Sequence, residues 1–360
     1  MSSANRLAWV DAAKGLSIIL VVMMHSAYGV GEAMNGVGVL HYIIGWATPF
    51  RMPEFFLISG LFLSQVIARP WAHFADRRIV HYLYFYLLWA ALQIAFKVGL
   101  GTGDVSGALD QMAWALVEPY GVLWFIYMLA VYSLVTKLLF SARVPHWIVL
   151  AVAAALQVAW IKTGSSLVDH FTDYLVYFYA GYVFAPLVFS LTEKALRHVA
   201  LSTVGLMAFC ILNGVLVFAG ESQMHPRGMT MGYAALPVLH LALGLSGSLL
   251  ICLSAALLVR LPHMNWLRWL GEHSIVVYLS FSIPMAASRL LIVDSGLSDD
   301  VSVVSVAVMA IALAAPLVLL WLINKTGYGR FLFERPAWAH IPGTPGSASR
   351  AKDGSAVPAE

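Results

Sequence analysis

Lys14 and His25 are the first pair of side chains in this sequence whose types and spacing could do chemistry. Eleven residues is close to three helical turns, so the two share a face within roughly 20° and lie ~16 Å apart along the axis. Lys14 follows Asp11 by three, which allows a pair on one face. It reads either as a snorkelling lysine at a membrane interface or as a point charge that holds an anionic group, such as phosphate, at the inner mouth of a cavity. His25 ends the unbroken apolar run Leu16–Met24, which carries it past mid-membrane toward the outer side. It is either a core imidazole bonded to a neighbouring helix or a general base, since neutral imidazole is the side chain best suited to take a proton near neutral pH. Glu32, seven residues on, falls on nearly the same face and is the candidate to orient the ring or couple to its charge, provided the helix continues that far. A second apolar stretch carries Arg51 and Glu54, three apart, around Pro53, which is expected to kink or unwind the helix. Backbone freed at membrane depth is tolerated only where protein or a water-filled cavity covers it. Ser59 and Gly60 offer a small surface to another helix or to a ligand. Arg69, His73, Arg77 and Arg78 follow; Arg77 and Arg78 serve either as a topology signal or as an anion grip through charge-assisted bonds.

The elements that must position these groups are membrane helices. The chain has 360 residues, 61% hydrophobic and 11% charged, with mean hydropathy +0.81. A soluble domain carries about a quarter charged residues, so this composition means a membrane. The net charge is +3 and the basic residues are scattered, which gives no footprint for nucleic acid. Cys210 and Cys252 each sit in an apolar run and read as small buried hydrophobes; no disulfide framework or metal site is implied. The amino-terminal apolar run is followed by many others and shows no cleavage site, so it does not read as a removable signal.

Apolar runs of membrane-spanning length number about ten. They fall near 10–30, 42–67, 79–99, 121–140, 146–162, 171–190, 199–219, 236–259, 273–293 and 301–323. With the amino terminus inside, about sixteen Lys and Arg fall on the cytoplasmic side against about four outside, which predicts an even number of spans with both termini cytoplasmic. The predicted fold is therefore all-α, a polytopic membrane bundle over 1–335. Beyond, 336–360 is rich in Pro, Gly, Ser and Ala and reads as a disordered cytoplasmic tail.

Taken together, these stretches resemble the acyltransferase 3 family of integral-membrane O-acyltransferases. The family's early Asp-x-x-(Arg/Lys), followed by ten residues and a His, is matched by Asp11, Lys14 and His25. Its Phe-Phe-x-x-Ser-Gly is matched by Phe55, Phe56, Ser59 and Gly60, and its basic inner loop by Arg77 and Arg78. A late Gly-x-x-Ser-x-x-x-Tyr-Leu is matched by Gly271, Ser274, Tyr278 and Leu279. Two departures stand out: Lys14 replaces the commoner Arg, and Phe281 stands where the family often has a His, whose role is then absent or relocated, with His273 the candidate. The resemblance implies an acyl group, acetyl or succinyl, moved from cytoplasmic acyl-CoA to a hydroxyl of a sugar, glycan or lipid-linked acceptor, in a bacterial inner membrane. No permanently bound cofactor is implied. On that reading Lys14, Arg77 and Arg78 meet the phosphates of the donor, His25 is the base, and Ser59 or Arg51 donates to the developing oxyanion. The competing expectation is a transporter or exporter of a glycan or small polar solute, which also needs ionisable residues and a broken helix at membrane depth.

Overall fold

The computed structural model describes residues 3–347. Two compact units emerge: one takes the chain up to Leu61 together with 150–161 and 172–320; the other takes 62–149, 162–171 and the residues from Trp321 on. In chain order the elements are α1 (Ser3–Met34), α2 (Val39–Ala47), α3 (Arg51–Leu61) and α4 (Trp71–Gly99), the last with a π-helical turn inside it at Asp76–Val80 and another, Ala95–Leu100, at its end. Then come α5 (Val105–Trp114), α6 (Gly121–Ser141), α7 (His146–Val158), α8 (Ser166–Arg197) and α9 (Val199–Phe218). A two-stranded hairpin, β1 (Gln223–His225) and β2 (Gly228–Thr230), pairs Met224 with Met229. The chain continues with α10 (Pro237–Leu258), α11 (Asn265–Glu272), α12 (Ser274–Ser280), α13 (Ser282–Asp294) and α14 (Val301–Thr326).

Seven of these helices, α1, α4, α6, α8, α9, α10 and α14, are long and apolar enough to cross a membrane. The pair α12 and α13, bent by 56°, makes an eighth if counted as one broken span. The ten predicted runs therefore differ from the structure at identifiable places. The run at 146–162 yields only the 13-residue α7. The run at 42–67 yields two short helices, α2 and α3, separated by a turn at Thr48-Pro49-Phe50. Proline causes that break, but the residue is Pro49 rather than Pro53. Pro53 lies in the first turn of α3, where a missing N–H is harmless because those donors have no intrahelical acceptor in any case.

In the first unit, glycines set two close helix crossings. Gly15 of α1 lies against the carbonyl of Leu267 in α11, and Gly271 of α11 against the carbonyl of Asp11. Gly60 of α3 meets the Phe178 carbonyl of α8, and Gly181 of α8 meets that of Leu57. A Cβ at any of the four would collide with backbone, so each pair of helices approaches as closely as its main chains permit. The helix-packing reading of Ser59-Gly60 thus holds for Gly60, and the family-like Gly271 has the same explanation.

The second unit is tied by buried polar side chains. Lys137 donates to the carbonyls of Ile67 (2.6 Å) and Arg69 (2.8 Å), and its ammonium sits over the rings of Trp71, Phe74 and Phe140. Glu118 accepts from the Ser165 hydroxyl (2.5 Å) and the Leu167 N–H (3.1 Å). Tyr84 and Trp89 donate to the carbonyls of Phe331 and Leu332, both at 2.9 Å. From there the chain does not run out as the expected tail. Arg335 donates to the Asp76 carboxylate at 2.6 Å, the Ile341 N–H reaches the same carboxylate at 2.8 Å, and Thr344 and Ser347 are buried. The Pro- and Gly-rich composition at 336–347 encodes turns of a folded strap, not disorder; residues 348–360 lie outside the described residues.

Candidate active site along the first helix

Helix α1 continues unbroken to Met34, where Asn35 takes a left-handed conformation (φ 49°) that ends it. Lys14 and His25 therefore do lie on one continuous helix. Lys14 is half-buried and bonds Asp11 at 3.2 Å, the local pair its spacing predicts. This is also the level of the α1–α11 crossing, since the Asp11 carbonyl receives Gly271. His25 is half-buried, and its ring lies against Phe281, at the bend between α12 and α13, with centroids 5.4 Å apart. The position where the family often carries a His is thus the one beside His25, here filled by a fully buried phenyl ring.

His273 does not stand in for it. It lies two residues past Gly271, at the Asp11 end of α1, and its Nδ1 is 2.8 Å from the Trp269 carbonyl. His25 is some ten residues farther along α1 from that crossing, about 15 Å at 1.5 Å per residue. Glu32 shares α1 with His25, as the spacing requires, but is exposed, and its carboxylate takes Arg227 at 2.5 Å. The expected coupling of Glu32 to the imidazole is replaced by a surface ion pair that fastens α1 to the β hairpin.

Arg51 opens α3, half-buried, and its Nε and Nη1 have no hydrogen-bond partner. Glu54, one turn on, is completely buried with neither carboxylate oxygen hydrogen-bonded, so the expected Arg51–Glu54 pair is not closed by a bond. The Ser17 hydroxyl of α1, which donates to the Ala13 carbonyl at 2.8 Å, is within reach of that carboxyl, and Cys252 of α10 feels its charge. Ser59 directs its hydroxyl to the Phe55 carbonyl at 2.7 Å, the usual back-bond of a helical serine. Phe56 stacks on Tyr174 of α8, whose neighbour Tyr177 presents a buried hydroxyl without a partner. Buried polar atoms are satisfied almost everywhere in proteins, so Arg51, Glu54 and Tyr177 mark a polar region in the first unit that can accommodate water or a ligand's polar groups. Spacing had paired Arg51 with Glu54 but gave no sign that the acid lies wholly inside, and Tyr177 carried no signal at all.

In the second unit, Arg77 and Arg78 fall within the π-helical turn of α4. Arg78 donates to the Tyr82 hydroxyl at 3.1 Å, while Arg77 is exposed. The preceding Asp76, which sequence reasoning passed over, is buried and accepts from Arg335 and Ile341. No group of three or more His, Cys, Asp or Glu side chains among the described residues is placed to hold a metal.

A chain built of long apolar helices, with a cation, an imidazole and unsatisfied polar atoms inside its first unit, is a multi-pass membrane protein with an internal polar site. Comparison with known proteins narrows this. The acyltransferase-domain model of the acyltransferase 3 family matches residues 7–325, so the chain belongs to that family and is an acyltransferase. It is 28% identical to the nodulation protein NolL of Sinorhizobium fredii (strain NBRC 101917 / NGR234) over 353 residues, covering 90% of each chain. It is 25% identical to the inner membrane protein YcfT of Escherichia coli (strain K12) over 162 residues, 38% of this chain and 45% of that one. No solved structure matches.

Proposed function

We propose that the protein moves an acyl group, acetyl or succinyl, from cytoplasmic acyl-CoA to a hydroxyl of a sugar, glycan or lipid-linked acceptor, with His25 as general base. The observation that carries this is His25 itself: an imidazole inside a membrane acyltransferase, on one uninterrupted helix with Lys14. The acceptor hydroxyl attacks the thioester carbonyl carbon as His25 takes its proton. The tetrahedral oxyanion collapses, the C–S bond breaks, and the CoA thiolate leaves with the proton from the imidazolium. Arg51, with two unpartnered guanidinium nitrogens, is a better oxyanion donor than Ser59, whose hydroxyl is committed to Phe55. Lys14 in one unit and Arg77 and Arg78 in the other are the cations available to donor phosphates. Both termini are placed on the cytoplasmic side of a bacterial inner membrane, an arrangement that needs an even number of spans and so fits eight, with α12 and α13 counted as one, and not seven.

The test is purified protein with labelled acetyl-CoA and succinyl-CoA. A general base supplies about 10²–10⁴-fold, so His25→Ala should lose that factor in acyl transfer or thioester hydrolysis while retaining the wild-type unfolding temperature. Undiminished turnover in that variant removes His25 from the mechanism. A second reading, export of a glycan or polar solute, is favoured by the one broken span found among the described residues, α12 with α13. Acceptor flux across vesicles without acyl chemistry would select it.

A further inference from the structure

The stripe of α1 that carries Lys14 and His25 runs on to Gly29, four residues and about 6 Å past the imidazole and within about 60° of Lys14 around the axis. Gly29 presents no side chain of its own. Its surface is taken by half-buried Arg289 of α13, whose Nη1 donates to the Gly29 carbonyl at 3.3 Å; a Cβ at position 29 would lie 2.8 Å from that nitrogen. A cation thus stands at each end of the stripe, with the imidazole between. We propose that Arg289 binds an anionic group, phosphate or carboxylate, on the acceptor, which is therefore a phosphorylated or acidic sugar and not a neutral one. The identification of this ligand as the acceptor rests on the mechanism above, in which the donor arrives from the Lys14 end.

Three observations carry it. First, the guanidinium is underused: among the described residues it makes one bond, to a carbonyl that already serves the α1 hydrogen-bond ladder, and its remaining donors form a fork suited to an oxyanion. Second, no acid among the described residues pairs with it. Glu32, three residues past Gly29, is bonded to Arg227; Asp300 caps α14 through the Ser302 N–H at 2.7 Å; Asp294 lies about 140° around α13 from Arg289. An arginine at membrane depth that faces a neighbouring helix without a counter-ion is costly, and such residues mark substrate paths. Third, the direction is right. Helical side chains lean toward the N-terminus of their helix, so Arg289, eight residues past Phe281, reaches back toward the level where Phe281 meets the His25 ring. The imidazole and the guanidinium are then one turn of α1 apart, about the breadth of a sugar ring, so one sugar can offer its hydroxyl to His25 and its anion to Arg289.

The experiment supplies the full-length protein, in neutral detergent, with labelled acetyl-CoA and one of three probes: glucose 1-phosphate, glucuronic acid or methyl glucoside. Probe binding and label transfer are both measured. Charge-assisted hydrogen bonds predict that the wild type binds an anionic probe about 10–100-fold more tightly than methyl glucoside. Arg289→Gln should bring that ratio within about twofold, and Arg289→Lys, which keeps the charge and loses the fork, should retain part of it and carries the test alone if the glutamine variant does not fold. Arg227→Gln, which removes an exposed cation elsewhere in the first unit, should leave the ratio unchanged. Tighter binding of glucose 1-phosphate than of glucuronic acid identifies the group as phosphate, and the reverse order as carboxylate. Equal binding of all three probes, binding of none, or an anion preference that survives both substitutions overturns the proposal. So does displacement of the probe by phosphatidylglycerol at concentrations where inorganic phosphate does not compete, since that would make Arg289 a headgroup site. Label transfer that persists in any of these cases leaves the enzyme reading intact. Arg289-dependent binding of an anionic probe in a protein that transfers no label supports the site and sinks the mechanism instead.

Discussion

Asp76→Ala should detach the strap. Asp76 is 1% exposed and the Arg335 side chain 4%, so the alanine leaves a guanidinium buried without its counter-ion and the Ile341 N–H without its acceptor. Removing one partner of a buried ion pair costs about 3–5 kcal/mol, most of it the penalty of the stranded charge. The cost is local, because the strap can release Arg335 to solvent while the rest of the unit stays folded. At about 1.4 kcal/mol per factor of ten, strap opening becomes roughly 10²–10⁴-fold more frequent, read as faster hydrogen exchange at Ile341 and faster chymotryptic cleavage after the exposed Trp338. A double variant separates the causes. If the stranded charge dominates, Asp76→Ala with Arg335→Met exchanges more slowly at Ile341 than Asp76→Ala alone. Wild-type exchange at Ile341 in the single variant, or a double variant that loosens the strap further, would refute the assignment of this pair as the latch.

Three further outcomes follow from the packing. Gly271→Ala and Gly60→Ala each force a Cβ into a backbone carbonyl and should cost about 1–3 kcal/mol, seen as lowered thermal midpoints, whereas Gly205→Ala, with open space at its Cβ, should not destabilise. Lys137→Met strands the carbonyls of Ile67 and Arg69, at about 1–3 kcal/mol for each buried orphan, and should loosen the turns ahead of α4 in proteolysis. Asp104 caps α5, and the Gly107 N–H holds its carboxyl below the usual carboxylate range, aided by Ser106. Its folded-state pKa is depressed, so its contribution is full above the ordinary value near 3.8 and fades as pH falls through the lower, folded value. Hydrogen exchange at the first turn of α5 should accelerate across that acidic window in the wild type but show no such step in Asp104→Ala.

Much of the local geometry around the candidate site was legible in the residues because its contacts are local. Lys14 reaches Asp11 one turn away, and His25 stays in register with Lys14 because apolar backbone in a bilayer must keep its helical hydrogen bonds. Run length and composition specified the helical membrane class for the same reason, and family-like spacing specified an acyltransferase. Contacts that close over long stretches of chain were a different matter. Glu32 is drawn to Arg227, 195 residues away, and not to His25 seven residues away. Asp76 meets Arg335 259 residues on, turning a composition typical of disorder into an ordered strap. Phe281 lands beside His25 while His273 lands at the other end of α1. Periodicity settles which face a side chain occupies; which helix covers that face depends on glycines that let backbones touch and on buried charges that must find a partner, and those were decided only by the tertiary fold.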